Sequence, residues 1–219
     1  MKIDTNTINI LKNFSKINPS IVVQEGNVLK TISPSKTIMA KATVPTKFSR
    51  RFAIYSLDQF LANISLFKDP NLDFKEKMIS ISDDKRKSQY FYADESTVTK
   101  APDKEISLPS ADVSFTLTNE DLVEVEKAAG VLNAPEIAVV GDGENVSLVA
   151  TDSKNPTSNE WSIDIGKTDK VFKAIFKVDN VKIIPGEYEV TISSRGISHF
   201  VGKDSDVEYF IAVESNSQF

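Results

Sequence analysis

Ala53-Ile54-Tyr55-Ser56-Leu57-Asp58-Gln59-Phe60 and Ala174-Ile175-Phe176-Lys177-Val178-Asp179-Asn180-Val181 follow one pattern. Each opens as an apolar strand and turns into a helix start that carries an aspartate. A Thr-Asn pair opens a helix at Thr5-Asn6 and again at Thr118-Asn119. The chain therefore reads as two copies of one order: strand, helix, several strands, helix, three strands. The copies are offset by on the order of a hundred residues, which is domain size. Between them, Asp94 to Pro109 holds Pro102, Pro109 and several charges and reads as a connector. These signals predict two similar α+β domains, 1–108 and 109–219, within 219 residues.

The rest of the chain fits around the repeat. Ile21-Val22-Val23, Val28-Leu29, Ile38-Met39-Ala40, Ile79-Ser80-Ile81 and Tyr90-Phe91-Tyr92 are short strand signals in the first half. In the second half, Ile137 to Val140 and Val146 to Val149 flank Gly141-Asp142-Gly143, a hairpin turn in which glycine takes φ > 0 freely. Trp161, Ile163 and Ile165 alternate with polar residues, and so do Phe172, Ala174 and Phe176. Tyr188 to Ile192, Ile197 to Val201 and Val207 to Val213 complete the set. Ile8, Leu11, Phe14 and Ile17 predict a first helix, and Ser56 caps a second with Leu57, Phe60, Leu61 and Ile64 on its apolar face. Thr118 caps a third, with Glu120 and Asp121 in its first turn and Leu122, Val125 and Ala129 facing the core. A short fourth helix is expected over Val178 to Ile183, stopped by Pro185-Gly186.

Composition excludes several classes. No cysteine means no disulfide and no thiolate metal site. Met1-Lys2-Ile3-Asp4 leads into a polar stretch with no secretion signal, and no apolar run approaches a membrane span. The one histidine, His199, lies in a strand and is expected to pack there. No GxxxxGK[ST] loop and no GxGxxG follow a strand. The paired acids Asp83-Asp84, and Asp204 with Asp206, belong to solvated turns. The reading is a soluble non-enzyme with no catalytic residue, no metal and no cofactor.

With 26 basic and 31 acidic residues the net charge is −5, which by itself disfavours phosphate binding. Distribution matters more than the sum. Thr5, Asn9, Lys12 and Lys16 share one face of the first helix, Lys127 is exposed on the third, Lys177 and Lys182 bracket the fourth, and Lys68 follows the second. Flexible lysines on outer helix faces suit mobile phosphate contact without base reading. The third helix departs from this trend, because Glu120, Glu124 and Glu126 outnumber Lys127.

Leu11 to Asn18, Ala53 to Leu57 with Phe60-Leu61, Glu120-Asp121-Leu122, Trp161 to Gly166, Pro185-Gly186-Glu187-Tyr188 and Tyr209 to Phe219 resemble, in order and spacing, the sliding clamps of large tailed bacteriophages. The resemblance implies the DNA-clamp fold, with antiparallel sheets outside and two helices inside each domain. It implies a homotrimer closed head to tail, sheet edges pairing between protomers, and a ring around duplex DNA that tethers the replicative DNA polymerase. A clamp loader, late-transcription factors and the cytoplasm of the bacterial host follow from the same resemblance. Lys12, Lys16 and Lys127 match the family's basic inner-helix positions; Lys68, Lys177 and Lys182 join them by helix placement. Candidates for the family's partner-peptide pocket are Val98, Ile106, Leu108, Phe210 and Val213. The alternative is a β-rich structural or assembly protein of a virus particle, which needs neither the internal repeat nor lysines at helical positions.

Overall fold

Asp4 starts the first helix. Its carboxylate accepts the Thr7 amide at 2.9 Å, and α1 then runs over Thr5–Ile17. The cap is thus Asp4 and not the Thr5-Asn6 pair. Ile10, Leu11, Phe14 and Ile17 form the buried stripe, while Ile8 stays half-buried at its margin. The structure, a computed structural model, describes residues 1–219 and divides into two units, Met1–Lys104 and Glu105–Phe219.

In the first unit α1 is followed by β1 (Ile21–Val23), β2 (Gly26–Ile32), β3 (Ile38–Phe48) and β4 (Phe52–Ile54). Next come α2 (Leu57–Ser65), β5 (Asn71–Phe74), β6 (Met78–Ser82) and β7 (Lys87–Phe91). All pairings are antiparallel: β1 with β4, β2 with β3, and β5-β6-β7 in order. Ser56 caps α2 through the Gln59 amide at 3.4 Å, and Leu57, Phe60, Leu61 and Ile64 are buried as the spacing requires. α1 packs on α2 and β3, so both helices share one core.

The second unit holds β8 (Val113–Leu117), α3 (Asn119–Leu132), β9 (Glu136–Asp142), β10 (Asn145–Thr151), β11 (Trp161–Lys167) and β12 (Val171–Lys177). It ends with β13 (Tyr188–Ser193), β14 (Ile197–Gly202) and β15 (Val207–Ala212). One antiparallel sheet has the order β11-β10-β9-β12, and another ladder runs β15-β14-β13-β8. Thr118 accepts the Asp121 amide at 3.1 Å to cap α3, and Asn133, in the left-handed region at φ 52°, ends it. At the β9–β10 turn the Asp142 carboxylate accepts the amides of Glu144 and Asn145, and Gly143 takes φ +93°. Tyr188, Phe200 and Tyr209 meet edge to face in the core, with Phe176 against Phe200.

The expected helix over Val178 to Ile183 is a correction: only one 3-10 turn forms, Val178–Asn180. In the repeat, Lys177 stands where Ser56 caps α2, and a lysine accepts no amide hydrogen bond, so the turn has no side-chain cap. The Val178 amide bonds instead to Pro135 O at 3.0 Å. Pro185 follows too soon for the few residues between to repay helix nucleation. The second unit therefore carries one α-helix where two are expected.

Each unit has one sheet edge covered by a chain terminus. Met1 exchanges backbone hydrogen bonds with Leu72 on β5 at 2.6 and 2.8 Å. The tail covers β12, where Lys173 and Gln218 exchange bonds at 2.8 and 2.9 Å. The opposite edges of these sheets, β7 and β11, end their ladders.

Candidate nucleic-acid interface

α1 turns its apolar stripe to the core, which leaves Thr5, Asn6, Asn9, Lys12 and Lys16 exposed on the other side. No carboxylate occurs in this helix, and neither lysine makes an ion pair. Lys68 is exposed just past α2, and Lys127 is exposed on α3. Lys177 is exposed at the end of β12 but already lies 3.3 Å from the Glu214 carboxylate. Lys182 is half-buried beyond the 3-10 turn. The bracketing of a helix by Lys177 and Lys182 does not arise, because that helix is absent.

On α3 the exposed residues include Glu120, Val123, Glu124, Lys127 and Val131, with Asp121 and Glu126 half-buried. This surface is acidic, as the sequence indicated.

The five predicted pocket residues divide between the units. Val98 belongs to the first, buried with Val22 and Ala53. Ile106 and Leu108 belong to the second and are half-buried. Phe210 and Val213 are buried there. Phe210 lies flat on His199 with ring centroids 4.2 Å apart, and His199 Nε2 is 2.7 Å from the Glu208 carboxylate, so the lone histidine packs within its sheet.

Two apolar surfaces escaped the sequence reading. Ala62, Leu66 and Phe91 line a groove beside β7, with Leu66 64% and Phe91 65% exposed. Ala128, Val131 and Trp161 line another beside β11, with Val131 72% exposed. Tyr90 donates to Ser56 O at 2.9 Å and packs on Phe60, so strand alternation must turn Phe91 outward.

Residues 3–100 match the family model described as DNA polymerase processivity factor, and residues 114–215 match the one described as gp45 sliding clamp, C terminal. The sliding clamp of Vibrio phage KVP40 is 34% identical over 223 residues, covering 98% of this chain and 100% of that protein. The sliding clamp of Escherichia phage RB69 is 30% identical over 230 residues, covering 99% of this chain and 98% of that one. Among solved structures, A. fulgidus PCNA with the C-terminal region of FEN-1 bound aligns with TM-score 0.69 at 13% identity over 94% of each chain. The DNA polymerase III subunit beta sliding clamp of Bartonella birtlesii aligns with TM-score 0.72 at 12% identity, over 98% of this chain and 64% of that one. At such identities the structural likeness speaks to the fold alone.

Proposed function

Because the chain belongs to the phage sliding-clamp family of DNA polymerase processivity factors, we propose that three copies close head to tail into a ring around duplex DNA. The family is non-catalytic, so the ring acts by topology: it keeps the replicative polymerase at high effective concentration beside the template. No helix is long and apolar enough to cross a membrane; the chain's kinship with phage clamps supports work in the host cytoplasm. A clamp loader opens the ring, and late-transcription factors use it as a mobile platform.

The observation that carries the reading is the exposed face of α1, where Lys12 and Lys16 stand without a carboxylate in the helix. Lys68 and Lys127 add exposed cations; Lys177 and Lys182 contribute less, being paired or half-buried. The open edges of β7 and β11, each beside an apolar groove, supply the head-to-tail contact. A heterologous contact that closes on itself leaves no strand edge exposed. Partner peptides dock on the second unit near Ile106, Leu108, Phe210 and Val213, with Val98 anchoring the connector to the first unit's core.

The test combines solution mass with primer extension. The expected result is a trimer that lengthens polymerase products, with that gain lost when Lys12, Lys16, Lys68 and Lys127 are reversed to Glu in an intact trimer. A stable monomer at high concentration, or unchanged product lengths in the variant, would overturn the reading.

A further inference from the structure

α1 and α3 open their respective repeats, yet their solvent faces carry opposite charge. α1 has two lysines and no carboxylate, a formal charge of +2. α3 has Lys127 against Glu120, Asp121, Glu124 and Glu126, but Asp121 and Glu126 are half-buried, so its exposed charges are Glu120, Glu124 and Lys127, a net of −1. Lys12 and Lys16 stand four residues apart on one face, about 6 Å along the axis, among the hydroxyl and amide groups of Thr5, Asn6 and Asn9. Lys127 follows Glu124 by three residues, a spacing that sets an opposite charge beside it on the same side of the helix.

Helix stability accounts for only part of α3's charge. Glu120 and Asp121 lie in the first turn, where carboxylates favour the positive end of the helix dipole. Glu124 lies beyond that turn, is exposed, and makes no ion pair. It gains nothing from the dipole, and Lys127 one turn on forms no ion pair with it, so its charge projects into solvent.

We propose that Glu120 and Glu124 on α3 repel the duplex and offset the attraction of the lysines, holding the ring's affinity low so that it slides. The proposal rests on the clamp reading above, in which both helices face the DNA. Three copies then supply three α1 faces that attract the duplex and three α3 faces whose exposed carboxylates repel it. Each phosphate contact adds roughly −0.9 to the slope of log affinity against log salt, so weakening the attraction along α3 gives a shallower slope and short-lived contacts. Like charges on α3 act within a Debye length of about 8 Å at physiological salt, which is the range over which a ring can centre a helix without gripping it.

The experiment titrates a labelled linear duplex with the full-length protein over a salt series, reading fluorescence anisotropy, with light scattering on every variant. Glu120→Gln with Glu124→Gln is expected to tighten binding several-fold, and Glu124→Gln alone, which leaves the first turn untouched, to move it the same way. Lys12→Gln with Lys16→Gln is expected to weaken binding and flatten the salt slope by roughly 0.9 for each phosphate no longer neutralised. If the lysine pair on α1 matters but the glutamate variants bind like the parent, α3 does not repel DNA and the proposal is overturned. If no variant on either helix alters binding, the inner-face assignment itself has failed, and the proposal falls with it.

Discussion

Lys177 Nζ lies 3.3 Å from the Glu214 carboxylate, tying the last residue of β12 to the C-terminal tail. The backbone reinforces the tie, since the Glu214 amide donates to Ile175 O at 2.8 Å. A lysine that already has an anionic partner gains less from a phosphate than an unpaired one. Lys177→Gln is therefore expected to leave duplex affinity within about twofold, in contrast to the α1 lysines. The half-exposed ion pair contributes less than about 1 kcal/mol, so the visible effect should be faster amide exchange at Glu214 and Gln218. A loss of duplex affinity matching that of the α1 pair would place Lys177 among the DNA-binding residues.

Phe91 and Val131 predict the ring's joint. Both are large apolar side chains left in solvent, one beside the open β7 edge and one beside the groove next to β11. Isolated exposed apolar residues are common, but two grooves flanking two open strand edges are what a strand-to-strand interface requires. Phe91→Asp and Val131→Asp should each shift the protein from trimer to monomer in light scattering while circular dichroism and the thermal transition stay in place. Trimers persisting in both variants would move the joint elsewhere.

The elements written locally were legible, and those decided by distant partners were not. Ser56 and Thr118 announce α2 and α3 because a cap and its apolar stripe lie within a dozen residues. Asp142-Gly143 announces its hairpin for the same reason. The repeat misled at Val178, because similarity of apolar spacing hid the replacement of a capping serine by Lys177. The choice of Asp4 over Thr5 as cap depends partly on Thr46, a residue 42 positions away. The covering of β5 by Met1 and of β12 by Gln218 leaves no trace in composition, so the open edges emerged only from the fold. For the site, lysine positions on α1 followed from helical period alone, whereas the pairing of Lys177 and the burial of Val98 are tertiary facts.

Gly141 is fixed by packing and not by turn geometry. A Cβ there would lie 2.3 Å from the Phe172 ring and 2.7 Å from the Lys170 carbonyl oxygen. The ring belongs to a side chain only 4% exposed, so it has little room to retreat. Gly141→Ala should destabilise the protein by about 1–3 kcal/mol, the usual range for overpacking a close-packed core, read as a lower urea midpoint at unchanged m-value. A midpoint equal to the parent's would mean that β9 and β12 separate at little cost.

Asp4 gives the fold a pH dependence of defined sign. Partial burial raises its carboxyl, but hydrogen bonds from the Thr46 and Thr7 hydroxyls and the Thr7 amide outweigh that and hold it at about 2, below the ordinary 3.8. A carboxyl whose pKa is lower in the folded chain than in the unfolded one binds protons preferentially when unfolded. Its stabilisation is complete above the ordinary value and is lost as pH falls from about 4 through about 2. Solvent screening at this half-exposed site reduces the contribution to about 1 kcal/mol, similar to an N-cap's usual worth. Asp4→Asn keeps a capping oxygen and removes the charge. The parent should therefore exceed the variant in urea midpoint at neutral pH, with the gap closing as pH falls through this window. A gap that stays constant across it would mean that the ionised carboxylate has no special hold on α1.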